Sequence, residues 1–377
     1  MPSRFQVEAS QGAGFVELFF DLVFVFAVTQ ITGELAHDLT WSGLGHALVV
    51  FWLVWWAWTQ FTWSLNEADT DHTVIRLLTL AATASAFFMA LTVPLVTEIG
   101  GALFAVAYLI VRFIGLWLQR ILASGDDAWA EAVRKWVLTS SLGLLAVIVS
   151  IFVPGETRMA VLAVAAGLDV IAAIRAGREE WRLLAAHFAE RHALFVIIVL
   201  GESLIVAGAT ALDNELGSSD LVVTGLAVLI TVGLWWTYFA SAKDTCEEAM
   251  DGQPERRLGG YARDVYSFGH VPIIGGVIAF AAGLESGLLH GDEPLGPAGI
   301  AIGAGVALFV GGTGLVMLRA GTRIGWPRWV GFVVILGSIP FLTGLAPSPA
   351  LILIAVVVLA VAVAEPRGAI TVASQSR

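Results

Sequence analysis

The sequence predicts an all-α polytopic membrane protein of about twelve transmembrane helices. Three observations carry this. Apolar stretches long enough to cross a bilayer fill almost the whole chain; a span needs roughly 20 apolar residues, and backbone in lipid must satisfy its own hydrogen bonds, as a helix does. Of the 377 residues, 58% are hydrophobic and 14% charged, against about 25% charged in soluble domains, and the mean hydropathy is +0.83. Finally, the basic residues gather on one side of the spans.

The apolar runs place spans at 15–36, 42–64, 74–96, 99–122, 133–153, 158–174, 193–212, 220–240, 264–290, 297–318, 329–345 and 349–364. The second carries a tryptophan cluster (Trp52, Trp55, Trp56, Trp58 and Trp63), more than an interfacial anchor requires. The ninth to eleventh are rich in glycine, as at Gly275-Gly276, Gly303, Gly305 and Gly311-Gly312, which suits close helix contact. Pro94, Pro272 and Pro340 mark expected kinks. The loops at 175–192 and 241–263 are the longest polar pieces.

Orientation follows from the positive-inside rule. With the N-terminus inside, 18 of the 20 basic residues fall in the inner segments or at the inner ends of spans; only Arg158 falls outside, and only Arg112 lies deep within a span. Losing or gaining a helix would scramble this split. The expectation is a multi-pass protein of the bacterial inner membrane with both termini cytoplasmic. Met1–Gly14 is polar and lacks the apolar core of a cleavable signal.

The net charge of −11 argues against nucleic-acid binding, which wants a basic face. The partners expected are membrane lipids, an ion or small solute, and a second copy of the chain. One cysteine, Cys246, allows no internal disulfide and is expected as an inert loop thiol. No cofactor is implied.

An internal repeat is visible. The first span opens Phe15-Val-Glu-Leu-Phe-Phe-Asp21, and the seventh is entered through Glu190-Arg-His-Ala-Leu-Phe195. The second span ends Trp55-Trp-Ala-Trp-Thr-Gln-Phe61, and the eighth Leu234-Trp-Trp-Thr-Tyr-Phe239. The similar offsets predict six-helix repeats at 1–174 and 193–377, running parallel, joined by a cytoplasmic interfacial helix at 175–192. In that helix Trp181, Leu184 and Phe188 form an apolar stripe while Glu179, Glu180, Arg182 and Glu190 stay wet. His187, Glu190, Arg191 and His192 would then lie at the membrane surface. His187 and His192 do not share a helix face and no H-E-x-x-H occurs, so no metal site is expected.

Ionisable residues inside spans cost at least ~2.5–3.5 kcal/mol near the bilayer centre and persist when paired, hydrated or used. Glu17 and Asp21 share one helix face. Gln30, Glu34 and His37 follow on roughly the opposite face, and His270 and Glu285 lie in the ninth span. Arg112 lies at about the depth of Asp21 and Asp169, so one of these acids is its expected partner, as a structural salt bridge. Glu202 lies near the midplane with no cation at its level. Glu17, Asp21 and Glu202 are the candidates for lining a polar path between the repeats. No catalytic residue is assigned.

Val16-Glu-Leu-Phe-Phe-Asp-Leu-Val-Phe-Val-Phe-Ala-Val-Thr-Gln30 resembles the opening signature of the bacterial low-temperature-requirement A (LtrA) family. Glu190-Arg-His-Ala-Leu-Phe-Val-Ile-Ile-Val-Leu-Gly-Glu-Ser-Leu-Ile205 resembles its second signature. The resemblance implies membership over essentially the full chain and a link to growth at low temperature. Asp21-Leu-Val-Phe-Val-Phe-Ala-Val-Thr29 is also similar to the F-S-D-x-V-F-x-x-A-x-T opening of the two-repeat, six-plus-six-helix potassium channels of endolysosomes and bacteria. Here Phe20 replaces the serine, and the seventh span has no clear second aspartate.

Two functional classes stay open. A channel or secondary transporter for an ion or small solute fits the helices, the duplication and the acids on the leading helix of each half. A membrane-embedded enzyme or protein of lipid or envelope homeostasis would fit growth in the cold. Its motif support is thinner, since Gly201-Glu-Ser203 lacks the second glycine of G-x-S-x-G.

Overall fold

The computed structural model describes residues 12–176, 181–213, 217–289, 291, 293–322 and 324–365. The positively charged Arg4, Arg178, Arg323, Arg367 and Arg377, the acids Glu179 and Glu180, and both chain ends lie outside the described residues. The described chain is helical throughout its ordered elements, and no strand occurs among the described residues.

Helices α1 (Phe15–His37), α2 (Trp41–Leu65), α3 (Thr73–Leu91), α4 (Gly101–Leu122), α5 (Asp127–Ser150), α6 (Gly155–Ala176) and α7 (Ala185–Asp213) come first. They are followed by α8 (Ser218–Thr237), α9 (Lys243–Asp251), α10 (Glu255–Ala262), α11 (His270–Leu289), α12 (Pro297–Arg319), α13 (Trp326–Leu342) and α14 (Pro347–Ala364). Among the described residues, eleven helical stretches are long and apolar enough to cross a membrane. The remaining apolar helix, α13, has 17 residues, about 25 Å at 1.5 Å per residue.

Local chemistry sets the helix starts. Asp126 accepts a hydrogen bond from the Trp129 N–H at 3.0 Å, an N-cap that starts α5 earlier than its apolar run does. His72 Nδ1 caps α3 through Val74 N–H at 3.2 Å. Proline in the first turn opens α12, α13 and α14, where the missing N–H has no intrahelical partner to lose. Pro94 sits in a 3₁₀ turn, Val93–Leu95, just after α3, and Pro340 lies inside α13.

The chain gathers into two compact units. The first takes the described residues up to Glu34, Trp41–Phe195 and Gln253–Arg263; the second takes Leu35–Thr40, Val196–Gly252 and Asp264 onward. Aromatic rings fill the first. Phe20 meets Phe61 at 4.4 Å, Trp55 meets Trp58 at 4.9 Å, and Trp58 lies 4.3 Å from Phe195. Trp56 packs edge-on against Trp136 of α5. In the second unit α11 and α12 approach backbone to backbone: a Cβ at Gly276 would fall 2.6 Å from the Gly305 carbonyl, so only glycine lets them close.

Two expectations are corrected. The polar segment at 241–263 is largely helical: a π-turn, Tyr238–Ala242, carries α8 into α9, and a second, Arg263–Phe268, leads from α10 towards α11. Cys246 is therefore a buried helical residue rather than a loop thiol. Among the described residues of 175–192, no separate interfacial helix forms. Leu183 and Leu184 are not helical, and Ala185 begins α7, which runs without a break to Asp213. Its polar first turns pack inside the protein, so their charged residues are no guide to where the helix starts.

Candidate functional site

The first unit holds a buried cluster of opposite charges built from α1, α2 and α7. Gly14 is the N-cap of α1, and its N–H donates to Glu17 Oε2 at 2.9 Å. This is half of a capping box, at the helix end whose dipole favours a carboxylate. Asp21 lies one turn on, on the same face. Between them sits the guanidinium of Arg191: Nη1 donates to Glu17 Oε1 at 2.7 Å, Nη2 to Asp21 Oδ1 at 2.5 Å and Nε to Asp21 Oδ2 at 3.2 Å. Trp58 Nε1 adds a third N–H to Asp21, at 2.7 Å. Its ring also lies 6.0 Å from the Arg191 guanidinium carbon, within cation–π range. Asp21 and Arg191 are 0% exposed and Glu17 is 1% exposed.

His187 continues the chain, its Nε2 standing 3.2 Å from Glu17 Oε2. On its other side Nδ1 meets Asn66 Nδ2 at 3.4 Å. The orientation of the Asn66 amide is set by the backbone of Leu184, whose N–H donates to Oδ1 at 2.6 Å and whose carbonyl accepts from Nδ2 at 3.1 Å. The atom facing His187 Nδ1 is therefore an N–H donor. Nδ1 accepts, Nε2 carries the proton, and the neutral ring donates to Glu17. His192 Nδ1 lies 2.9 Å from the Phe188 carbonyl, and its ring packs edge-on against Trp58 at 5.0 Å. Glu190 Oε2 accepts from the Ala13 N–H at 3.2 Å.

The surface position expected for Arg191 and His192 is thus corrected: both are 0% exposed. Arg191 reaches Glu17 and Asp21 because α7 starts earlier than its apolar run suggests, so the arginine belongs to the helix. Its spacing of one turn from His187 is the signal that both point to one face. Asn66 and Trp58 were not singled out for polar roles.

A second buried pair lies in the same unit. Arg112 Nη1 and Nη2 donate to Asp169 at 3.2 and 3.4 Å, and Nη1 also donates to the Tyr108 hydroxyl at 2.8 Å. Tyr108 in turn donates to Asp169 Oδ2 at 3.3 Å. Of the two acids expected beside Arg112, Asp169 is there and Asp21 is with Arg191.

Within the second unit, Glu202 is 9% exposed on α7. Arg328, expected in an inner loop, is buried, paired with Glu365 and bonded to the Thr237 carbonyl at 2.8 Å. The Tyr238 hydroxyl meets His270 Nε2 at 2.8 Å, while His270 Nδ1 lies 3.0 Å from the Val265 carbonyl. The carbonyl takes the ring's N–H, so Nε2 accepts from the tyrosine. Among the described residues no group of three His, Cys, Asp or Glu side chains is arranged to hold a metal.

The α1–α7 cluster is the candidate site. With both carboxyl groups ionised and the imidazole neutral, two carboxylates and one guanidinium leave one unit of negative charge among buried side chains. Chemically it can take up one positive charge, and every hydrogen-bonding group around it is already oriented.

Comparison with known proteins agrees with the two signature segments. No solved structure matches the chain. It is 31% identical over 333 residues to the uncharacterized protein RA0937 of Rhizobium meliloti (strain 1021), covering 83% of this chain and 78% of that one. The two carboxylates of α1 and the arginine of α7 fall inside a match to the family model of the bacterial low temperature requirement A protein (LtrA), over residues 12–363. The chain is a multi-pass helical membrane protein and belongs to that family.

Proposed function

We propose that this protein is a channel or secondary transporter for an ion or small solute in the bacterial cell membrane, with both chain termini on the cytoplasmic side. One observation carries the reading: Glu17, Asp21 and Arg191 form a fully buried cluster in which two carboxyl groups share one guanidinium. A buried ion pair is weak support for stability, since well-packed apolar residues of similar volume often serve as well or better. A membrane protein that keeps three such groups in two spanning helices has a use for their charge.

The remaining elements are assigned in the same spirit. The chain is read as two parallel six-helix repeats, on the strength of the matching helix openings and aromatic helix ends. Arg112 and Asp169 serve as an internal brace, bonded to one another and to Tyr108. Glu202, further along the helix that carries Arg191, is the candidate for a second polar position used by the permeating species. Membrane lipids and a second copy of the chain remain the expected macroscopic partners.

The test is flux. Purified protein in liposomes, challenged with gradients of protons, sodium, potassium and chloride, should dissipate at least one of them faster than empty vesicles. Asp21→Asn should alter that rate in protein that remains folded. A tight vesicle under every gradient would move the reading to envelope homeostasis.

A further inference from the structure

The charge of the α1–α7 cluster and the geometry of His187 bear on which positive charge the site accepts. A small cleft lined by Gly12, Asn66, Ala68, Thr70, Leu184 and His187 reaches Glu17. Of these lining groups only Glu17 and His187 are ionisable; the charged groups beside them are Arg191, on the same helix as His187, Asp21 behind it, and Glu190 next to Gly12. A metal cation arriving here would find no cage of oxygens. The carboxylate oxygens already accept from Arg191, Trp58, Gly14 and His187. A proton needs only one lone pair, and His187 Nδ1 has one facing Asn66.

We propose that His187 is a proton-binding site, and that proton uptake there releases the Asn66–Leu184 junction between the end of α2 and the start of α7. The step balances simply. One proton from the cleft adds to Nδ1, and the neutral imidazole becomes an imidazolium still donating from Nε2 to Glu17. The cluster then holds two negative and two positive charges and is neutral. Nδ1, now a donor, faces the Asn66 Nδ2 donor, and two donors cannot share a hydrogen bond. The Asn66 amide must turn to offer Oδ1, and that turn gives up both bonds to the Leu184 backbone. The site thus couples a proton to all three described hydrogen bonds that Asn66 makes with the entry to α7, one to His187 and two to Leu184.

This deepens the transport reading and rests on it for its physiological meaning, making the proton the permeant or the coupling ion. The binding site itself can be tested without flux. Full-length protein labelled with ¹⁵N-histidine, in lipid nanodiscs, reports the protonation of each ring nitrogen, and His187→Gln identifies the His187 signals. In the wild type Nδ1 should be unprotonated at about pH 8 and gain a proton on acidification towards about pH 5, the range in which histidine switches. Hydrogen exchange at the Leu184 amide should accelerate over the same interval. Asn66→Asp offers a carboxylate oxygen to each side and should keep Nδ1 protonated at about pH 8, where the wild type is not.

A wild-type Nδ1 whose state does not change with pH overturns the proposal. So does a Leu184 amide whose exchange ignores that change. If His187 titrates and Leu184 responds while vesicles stay tight to protons, the site stands and the transport reading fails. If protons cross the vesicle wall while His187 never titrates, transport stands and the His187 site fails.

Discussion

Arg191 and Asp21 lie 170 residues apart in the chain and meet through two hydrogen bonds, at 2.5 and 3.2 Å, with neither side chain exposed. The first prediction follows directly. Arg191→Ala leaves two carboxylates buried without a cation, and removing one partner of a buried pair costs roughly 3–5 kcal/mol. Melting in detergent should shift down accordingly. Arg191→Lys should recover only part, because an ammonium cannot form the paired N–H bonds to Asp21 while also reaching Glu17. Wild-type melting of Arg191→Ala would mean that the cluster is not buried as described.

Arg112 and Asp169 give a cleaner double-mutant test. Arg112→Leu alone strands Asp169 and should destabilise by roughly 3–5 kcal/mol. Arg112→Leu with Asp169→Leu should recover much of this, since the bond between them is also the partnership that made each necessary. Asp21→Asn should show no such coupling to Arg112→Leu, because Asp21 is bonded to Arg191 and Trp58 instead.

The spans were readable because hydropathy and length are local properties, and most predicted helices start within a few residues of the observed ones. α5 and α7 start well before their apolar runs, and for one reason: a helix continues into polar sequence when caps or internal partners satisfy it. Asp126 supplies the cap for α5, and Glu17 and Asp21 supply the partners for Arg191. The acids of the site were visible as intramembrane carboxylates on one face. Their cation was not, since a contact over 170 residues leaves no periodicity to read. The same holds for Arg328, whose partner Glu365 comes from the far end of α14.

Topology can be checked independently. Reporter fusions after Asp69, Gly125 and Gly252 should report the cytoplasm, and fusions after Asp38, Pro154 and Pro294 the opposite side. The basic asymmetry motivates this assignment. One loop on the wrong side would require a different number of crossings.

Glu67 gives a pH prediction outside the spans. Burial holds its carboxyl above the usual range, with Arg182 pulling it down and the Asp126 charge adding to the rise. Because the folded state then holds the proton more tightly than the unfolded state, the stability linked to Glu67 is complete below its unfolded pKa and is lost as pH rises through the folded value. Glu67→Gln should therefore melt higher than wild type at neutral pH, with the difference shrinking in acid. A lower melting temperature at neutral pH would show that the Arg182 contact, 3.6 Å away, outweighs burial.

The central claim, that the buried charges serve permeation, is tested most directly by ion and proton flux into liposomes carrying wild-type protein or Glu202→Gln. The amide keeps the shape of the side chain and removes its charge, so the variant should fold and express like wild type. The account predicts measurable wild-type flux and an altered rate or pH dependence in Glu202→Gln. Equal flux from the two proteins would remove Glu202 from the pathway, and no flux from the wild type under any gradient would contradict the account as a whole.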